Sequence, residues 1–138
     1  MPEGVEGQRV QLEVKGVALT LHLPMPGPHN AMNLAATVAA AVELGIPLTA
    51  LERFPDFLET SGRRHEIVHA AGGFELINDA YNAGPASMHA ALDTLSEVPV
   101  EGRRGAVLAD MLELGPTGPD YHRAVGEHAA RAVDFLIT

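Results

Sequence analysis

Glu75-Leu-Ile-Asn-Asp-Ala-Tyr-Asn-Ala-Gly-Pro-Ala-Ser-Met88 is the stretch on which the fold turns. Phe74 to Ala80 holds a short apolar run that reads as a strand, with Asp79 at its C-terminal end. Asn82, Gly84 and Pro85 supply turn chemistry, and Ala86 to Leu95 reads as a helix with Met88, Ala91, Leu92 and Leu95 on one face. A strand, a carboxylate at its tip, a polar turn and a helix make the first unit of a doubly wound sheet. Ligands of such sheets bind beyond the carboxyl ends of the strands, where an acidic side chain commonly takes hydrogen bonds from ribose hydroxyls.

Working outward, Arg63 to Ala70 reads as a strand that turns at Gly72-Gly73 into the central unit. Downstream, Gly105 to Asp110 reads as a buried strand ending in a second carboxylate, and Gly115 to Pro119 as a loop. Asp120 to Ala132 reads as a helix capped by an acidic residue, and Val133 to Thr138 opens another strand. The order strand, strand, helix, strand, helix, strand implies an α/β fold with a mostly parallel sheet and crossover helices. Asp79 and Asp110 then share one rim.

Upstream, Gln8 to Val14 and Val17 to Leu23 alternate around Lys15-Gly16 as a hairpin with one buried face. Pro24 to Pro28 stops it. His29 and Asn30 open a long alanine-rich helix to about Leu44, ended by Gly45, and Thr49 caps a second helix through about Leu58. A hairpin and two helices are too little for a self-contained domain. The expected division is residues 1–60, an incomplete domain, and residues 61–138, with Thr60-Ser-Gly62 as the boundary.

Composition narrows the function classes. The chain has 138 residues and a net charge of −9, which argues against broad nucleic-acid binding. It has no cysteine, hence no disulfide framework or thiolate metal site, which suits a cytoplasmic protein. No apolar run is long enough to cross a bilayer as a helix. No G-x-x-x-x-G-K-[ST], G-x-G-x-x-G or G-x-S-x-G is present, so the usual phosphate cradle is missing from these residues.

Four groups of residues invite chemistry. His65-Glu-Ile-Val-His69 is a literal H-E-x-x-H, with Gly72 in the metzincin position and Glu75 where the third histidine belongs. A zinc hydrolase on His65, Glu66 and His69 needs a helix, because on a strand the two imidazoles lie roughly 13 Å apart. In a chain with seven histidines the match also arises by chance. Asp79 and Asn82 fit ribose and base recognition, or simply cap and brace the turn. Asn30 and Asn33, beside His29, share a helix face and offer amides suited to a purine edge, although Asn30 also makes an ordinary N-cap. Asp110, Glu113 and His122 form the fourth group. Glu113 and His122 read more simply as loop and helix-face residues without chemistry, and Asp110 and His122 are carried as substrate-side candidates.

In order, these blocks resemble the Mur ligase family. Gly27-Pro-His-Asn-Ala-Met-Asn-Leu-Ala-Ala36 resembles the family's G-x-H-N-x-x-N-x-x-A, and Ser61-Gly-Arg63 the start of its C-terminal domain. Asp79 to Met88 resembles D-x-Y-N-A-N-P-x-S-M. Val107 to Gly115 and His122 to Gly126 resemble V-x-G-D-M-x-E-L-G and H-x-x-V-G. Gly84, Ala109 and Asn78 depart from the family's asparagine, glycine and aspartate. The resemblance implies a UDP-sugar domain, a central P-loop ATPase and a Rossmann-like C-terminal domain. It also implies a peptidoglycan-synthesis ligase that phosphorylates a carboxylate with ATP and Mg²⁺, and then lets an amine attack the acyl phosphate. The member most resembled joins D-alanyl-D-alanine to UDP-N-acetylmuramoyl-tripeptide. Carried over, Asn33 with Asn30 and His29 contacts adenine, Asp79 holds the ribose, Asn82 lies beside adenine, and Arg63 reaches toward the phosphates. The phosphate loop and Mg²⁺ ligands belong upstream of Met1, so the chain reads as a piece of a ligase, inactive alone or a non-catalytic binding module. The H-E-x-x-H becomes a coincidence within a strand.

Overall fold

The computed structural model describes residues 7–54, 58 and 64–138. Strands β1 (Gln8–Val14) and β2 (Val17–Leu23) pair antiparallel, with Val14 opposite Val17. Lys15 and Gly16 both take positive φ, 50° and 80°, so the two-residue turn matches the right-handed twist of the strands. Val10, Leu19, Leu21 and Leu23 face inward and meet Leu34, Val38 and Ala41 of helix α1 (Pro28–Glu43). Gly45, at φ 82°, ends α1 in a Schellman turn, in which Ile46 N–H donates to Ala41 O and Gly45 N–H to Val42 O.

The second helix is shorter than the sequence suggests. Helix α2 runs only Leu48–Leu51, follows Pro47, and has Thr49 inside it rather than as its cap. Residues 55–57 and the Thr60-Ser-Gly62 boundary lie outside the described residues.

Strands β3 (Glu66–His69) and β4 (Glu75–Asn78) pair antiparallel, because a link of residues 70–74 is too short for the crossover that parallel strands need. Helix α3 (Pro85–Glu97) starts at Gly84, whose N–H donates to Ser87 Oγ while Ser87 Oγ–H donates back to Gly84 O. Neither Asp79 nor Asn82 caps it. Strand β5 (Gly105–Val107) is shorter than the predicted Gly105 to Asp110. After Met111 a 3-10 turn (Gly115–Thr117) leads into helix α4 (Gly118–Ala132). Asp120 lies in its first turn, near the positive end of the helix dipole, and is not its cap. Strand β6 (Phe135–Ile137) pairs parallel to β5, with Ala106 opposite Leu136.

The α/β character and the crossover through α4 stand. The expected mostly parallel sheet is seen only in the β5–β6 pair, and among the described residues β4 does not pair with β5. Leu92, Ala106, Met111, Val125 and Ala129 form the core between α3, α4 and β5. Arg104 locks this layer, its guanidinium donating to Leu95 O and Val98 O while its backbone exchanges hydrogen bonds with Asp134.

Candidate functional site

The N-terminus of α1 is placed by a buried glutamine. Gln8 follows the inward phase of β1, and its Nε2 donates to Met25 O at 2.9 Å and Gly27 O at 2.7 Å. Gly27 then turns with φ 101°, against Thr94 of α3, and presents His29. Asn30 Nδ2 donates to Pro26 O at 2.7 Å, so its amide braces this turn. Asn33, on the same helix face, is exposed.

His65 joins that helix start to the end of β4. Its backbone N–H donates to Asp79 Oδ1 at 3.1 Å, and its ring lies 6.1 Å from that of His29, tilted by 58°. His65 is 7% exposed, and its Nε2 and His29 Nδ1 are buried without a hydrogen-bond partner among the described residues. Burial lowers the His65 imidazole from its ordinary 6.5; the Asp79 carboxylate opposes this and His29 adds to it. The backbone at His65 takes φ 52°, a left-handed conformation costly for a non-glycine residue. Three residues from separate blocks thus meet: His29, His65 and an exposed Asp79.

Around Asp79 the other side chains divide their duties. Asn82 Oδ1 accepts from Ala83 N–H at 2.9 Å, which braces the turn, and its side chain is exposed. Asn78 donates to Glu66 Oε2 and accepts from Ala80 N–H. Arg64 lies 3.9 Å over the Tyr81 ring. Arg63, the predicted phosphate contact, lies outside the described residues.

The zinc reading of His65-Glu66-His69 loses its geometric requirement. Glu66 to His69 is a strand, Glu66 and Asn78 are cross-strand partners, and His69 faces Glu75 at 3.5 Å across the hairpin. Among the described residues no three acidic or histidine side chains converge to hold a metal.

Asp110 and His122 form a second group. Met111 N–H donates to His122 Nε2 at 3.0 Å, and His122 Nδ1 faces Gly118 O at 2.8 Å. That assigns the proton to Nδ1 and makes His122 a brace between the β5 loop and α4. Asp110 Oδ1 is 3.8 Å from His122 Nε2, on a side chain 89% exposed. Glu113, in the loop between them, also takes a left-handed backbone, with φ 62°.

Sequence reasoning missed Gln8, the Arg64–Tyr81 contact and the buried role of His65. Gln8 carried a signal, being in phase with Val10, Leu12 and Val14 on the inward side of β1.

Residues 63–138 match the family description "Mur ligase, glutamate ligase domain". The chain is 37% identical over 113 residues to the UDP-N-acetylmuramoyl-tripeptide–D-alanyl-D-alanine ligase of Bacillus subtilis (strain 168), covering 82% of this chain and 25% of that protein. It is 34% identical over 133 residues to the ligase of the same name from Escherichia coli (strain K12), covering 96% and 29%. Among solved structures, MurF from Acinetobacter baumannii superposes with a TM-score of 0.87 at 28% identity, over 96% of this chain and 29% of that one. MurF from Thermotoga maritima, solved in complex with ADP, shares the fold with a TM-score of 0.82 at 23% identity, over 99% and 30%. The chain therefore spans between a quarter and a third of the length of these relatives. With a family match over more than half its residues, the chain belongs to the Mur ligase family.

Proposed function

We propose that this chain is part of an ATP-dependent amide-bond ligase of cytoplasmic peptidoglycan synthesis. The ligase adds D-alanyl-D-alanine to UDP-N-acetylmuramoyl-tripeptide through an acyl phosphate. Residues 1–60 are the end of the central ATPase domain, and residues 61–138 are the Rossmann-like C-terminal domain. The names of the relatives and the start of the family match at residue 63 support this reading.

The observation that carries the site is the bridge made by His65, which brings the α1 start and the tip of β4 together. The residues present fit a nucleotide. Asp79 is exposed, with Oδ1 oriented by the His65 N–H, so its carboxylate is set for ribose hydroxyls. His29, Asn30 and Asn33 line the adenine side, though the Asn30 amide also braces its turn. Asn82 stands at the following turn, and Arg63 serves the phosphates. Asp110 and His122 belong to the carboxylate- and amine-bearing substrates. ATP with Mg²⁺ supplies the phosphoryl group, and this chain's own residues bind and orient the nucleoside. Phosphoryl transfer depends on a cradle and metal that position and neutralise charge, and these residues contain no phosphate-loop motif, so the chain alone is inactive.

The test is Asp79→Asn in the full-length ligase. Asparagine keeps an acceptor for the His65 N–H and removes the ribose-binding charge, so KM for ATP rises roughly tenfold with kcat little changed. An unchanged KM overturns the ribose role. Ligation by the 138-residue chain alone overturns the assignment of an essential upstream phosphate site.

A further inference from the structure

Among the described residues two pairs of histidines meet across elements, and they differ in what is left unpaired. His89 of α3 and His128 of α4 satisfy each other, with their Nδ1 atoms 2.6 Å apart in a direct hydrogen bond. Asp93 Oδ1 completes that pair from behind, 2.9 Å from His128 Nε2. His29 and His65 stand ring against ring, 6.1 Å between centroids, yet His29 Nδ1 and His65 Nε2 are buried without a partner among the described residues. That second pair is unfinished.

Few charged groups face the His65 ring. His29 stands against it from the start of α1, and Asp79 approaches from the end of β4. Its chain neighbours turn elsewhere, Arg64 to the Tyr81 ring and Glu66 to Asn78. Asp79 is exposed and its Oδ1 already accepts from the His65 backbone N–H, so it offsets only part of the cost of charging a ring this buried. In the imidazolium both ring nitrogens are donors, and the buried Nε2 has no acceptor among the described residues. Burial therefore outweighs Asp79 and holds the imidazole below its ordinary 6.5, with His29 adding to the effect.

We propose that the His65 ring is a proton-gated latch on the nucleotide site. Neutral, it seats on His29 and holds the α1 start against Asp79; protonated, it leaves His29 and the two halves of the site part. The latch rests on the assignment of His29, Asn33 and Asp79 to the nucleoside. One residue carries both contacts, and this couples them. Its ring reaches α1 while its N–H fixes Asp79, and the left-handed φ of 52° persists only while both hold it. Loss of the ring contact releases the backbone, and the ribose carboxylate loses its orienting donor. Nucleotide and proton thus oppose each other to the same degree. Nucleotide affinity is full above about 6.5 and falls as pH drops below it.

The experiment is calorimetric binding of MgADP to the full-length ligase from pH 7.5 to 5.5, for the wild type and His65→Asn. Asparagine tolerates the left-handed backbone and cannot titrate. Every other group, the ADP phosphates included, titrates in both proteins, so each protein is referred to its own value at pH 7.5. The wild-type dissociation constant is expected to rise about tenfold more than the variant's, the limit for one proton over one pH unit. Parallel profiles overturn the latch. Histidine NMR of the wild type gives a second reading that does not depend on the variant. MgADP is expected to move the His65 titration midpoint to lower pH, and an unmoved midpoint also overturns the latch. Asp79→Asn separates a failed latch from a failed site. If it leaves MgADP affinity unchanged, the nucleotide assignment falls and the latch with it; if it weakens MgADP while the pH profiles stay parallel, the latch alone falls.

Discussion

His65 concentrates the unusual features of this chain: left-handed backbone, burial, a nitrogen without a partner, and a backbone bond to the proposed ribose carboxylate. Its titration makes folding depend on pH in a defined direction. Burial places the folded-state value below the 6.5 of the free imidazole, so the unfolded chain binds more protons in that window. Stability is therefore full above about 6.5 and is lost as pH falls through the window toward the folded value. His65→Asn tolerates the left-handed backbone and cannot titrate. Chemical denaturation from pH 7.5 down to 5 is expected to show a shallower acid loss in the variant; identical slopes overturn it. The sequence marked His65, but for another chemistry. The H-E-x-x-H pattern is blind to whether its residues lie on a helix, and here cross-strand partners occupy Glu66 and His69. Asp79 was legible because a carboxylate at a strand tip is a local pattern. Its partner His65, 14 residues upstream, was not.

The elements themselves were legible wherever a local rule sets them. Two residues at Lys15-Gly16 specify the hairpin, and Gly45 specifies the end of α1. Helix α2 starts directly after Pro47, two residues before the start that a cap at Thr49 implies, and ends at Leu51 rather than near Leu58. At Gly27 an element boundary and a tertiary contact coincide. Its φ is 101°, and a Cβ there would lie 2.4 Å from Thr94 Oγ1 and 2.8 Å from His29 Cε1. Gly27→Ala therefore combines backbone strain with overpacking and is expected to cost about 2–4 kcal/mol in urea unfolding. A loss under about 0.5 kcal/mol would mean that α3 does not press on this turn.

Two cores organise the molecule, one of β1, β2 and α1, the other of α3, α4 and β5. They approach each other where Gly27 meets Thr94, beside a cleft lined by Gln8, Pro26, Gly27 and Val98. Leu21 and Leu92 are 1% and 2% exposed, one in each core, and truncating either to Ala removes about 2–5 kcal/mol from its own unit. Amide exchange distinguishes two units from one. Leu21→Ala is expected to accelerate exchange in β1, β2 and α1, and Leu92→Ala in α3, α4 and β5; uniform acceleration by either points to a single cooperative unit. Apolar periodicity, turn residues and the family-like blocks, all properties of neighbours along the chain, were enough to establish the α/β class, the hairpin and, among the described residues, three of the four α-helices, and to nominate the nucleotide residues proposed above. The antiparallel β3–β4 pairing, the seating of α1 by Gln8, the His29–His65–Asp79 contact and the facing His89–His128 pair come from packing between segments far apart in sequence. A chain pattern records which face of an element is apolar, but it does not record which other element that face meets.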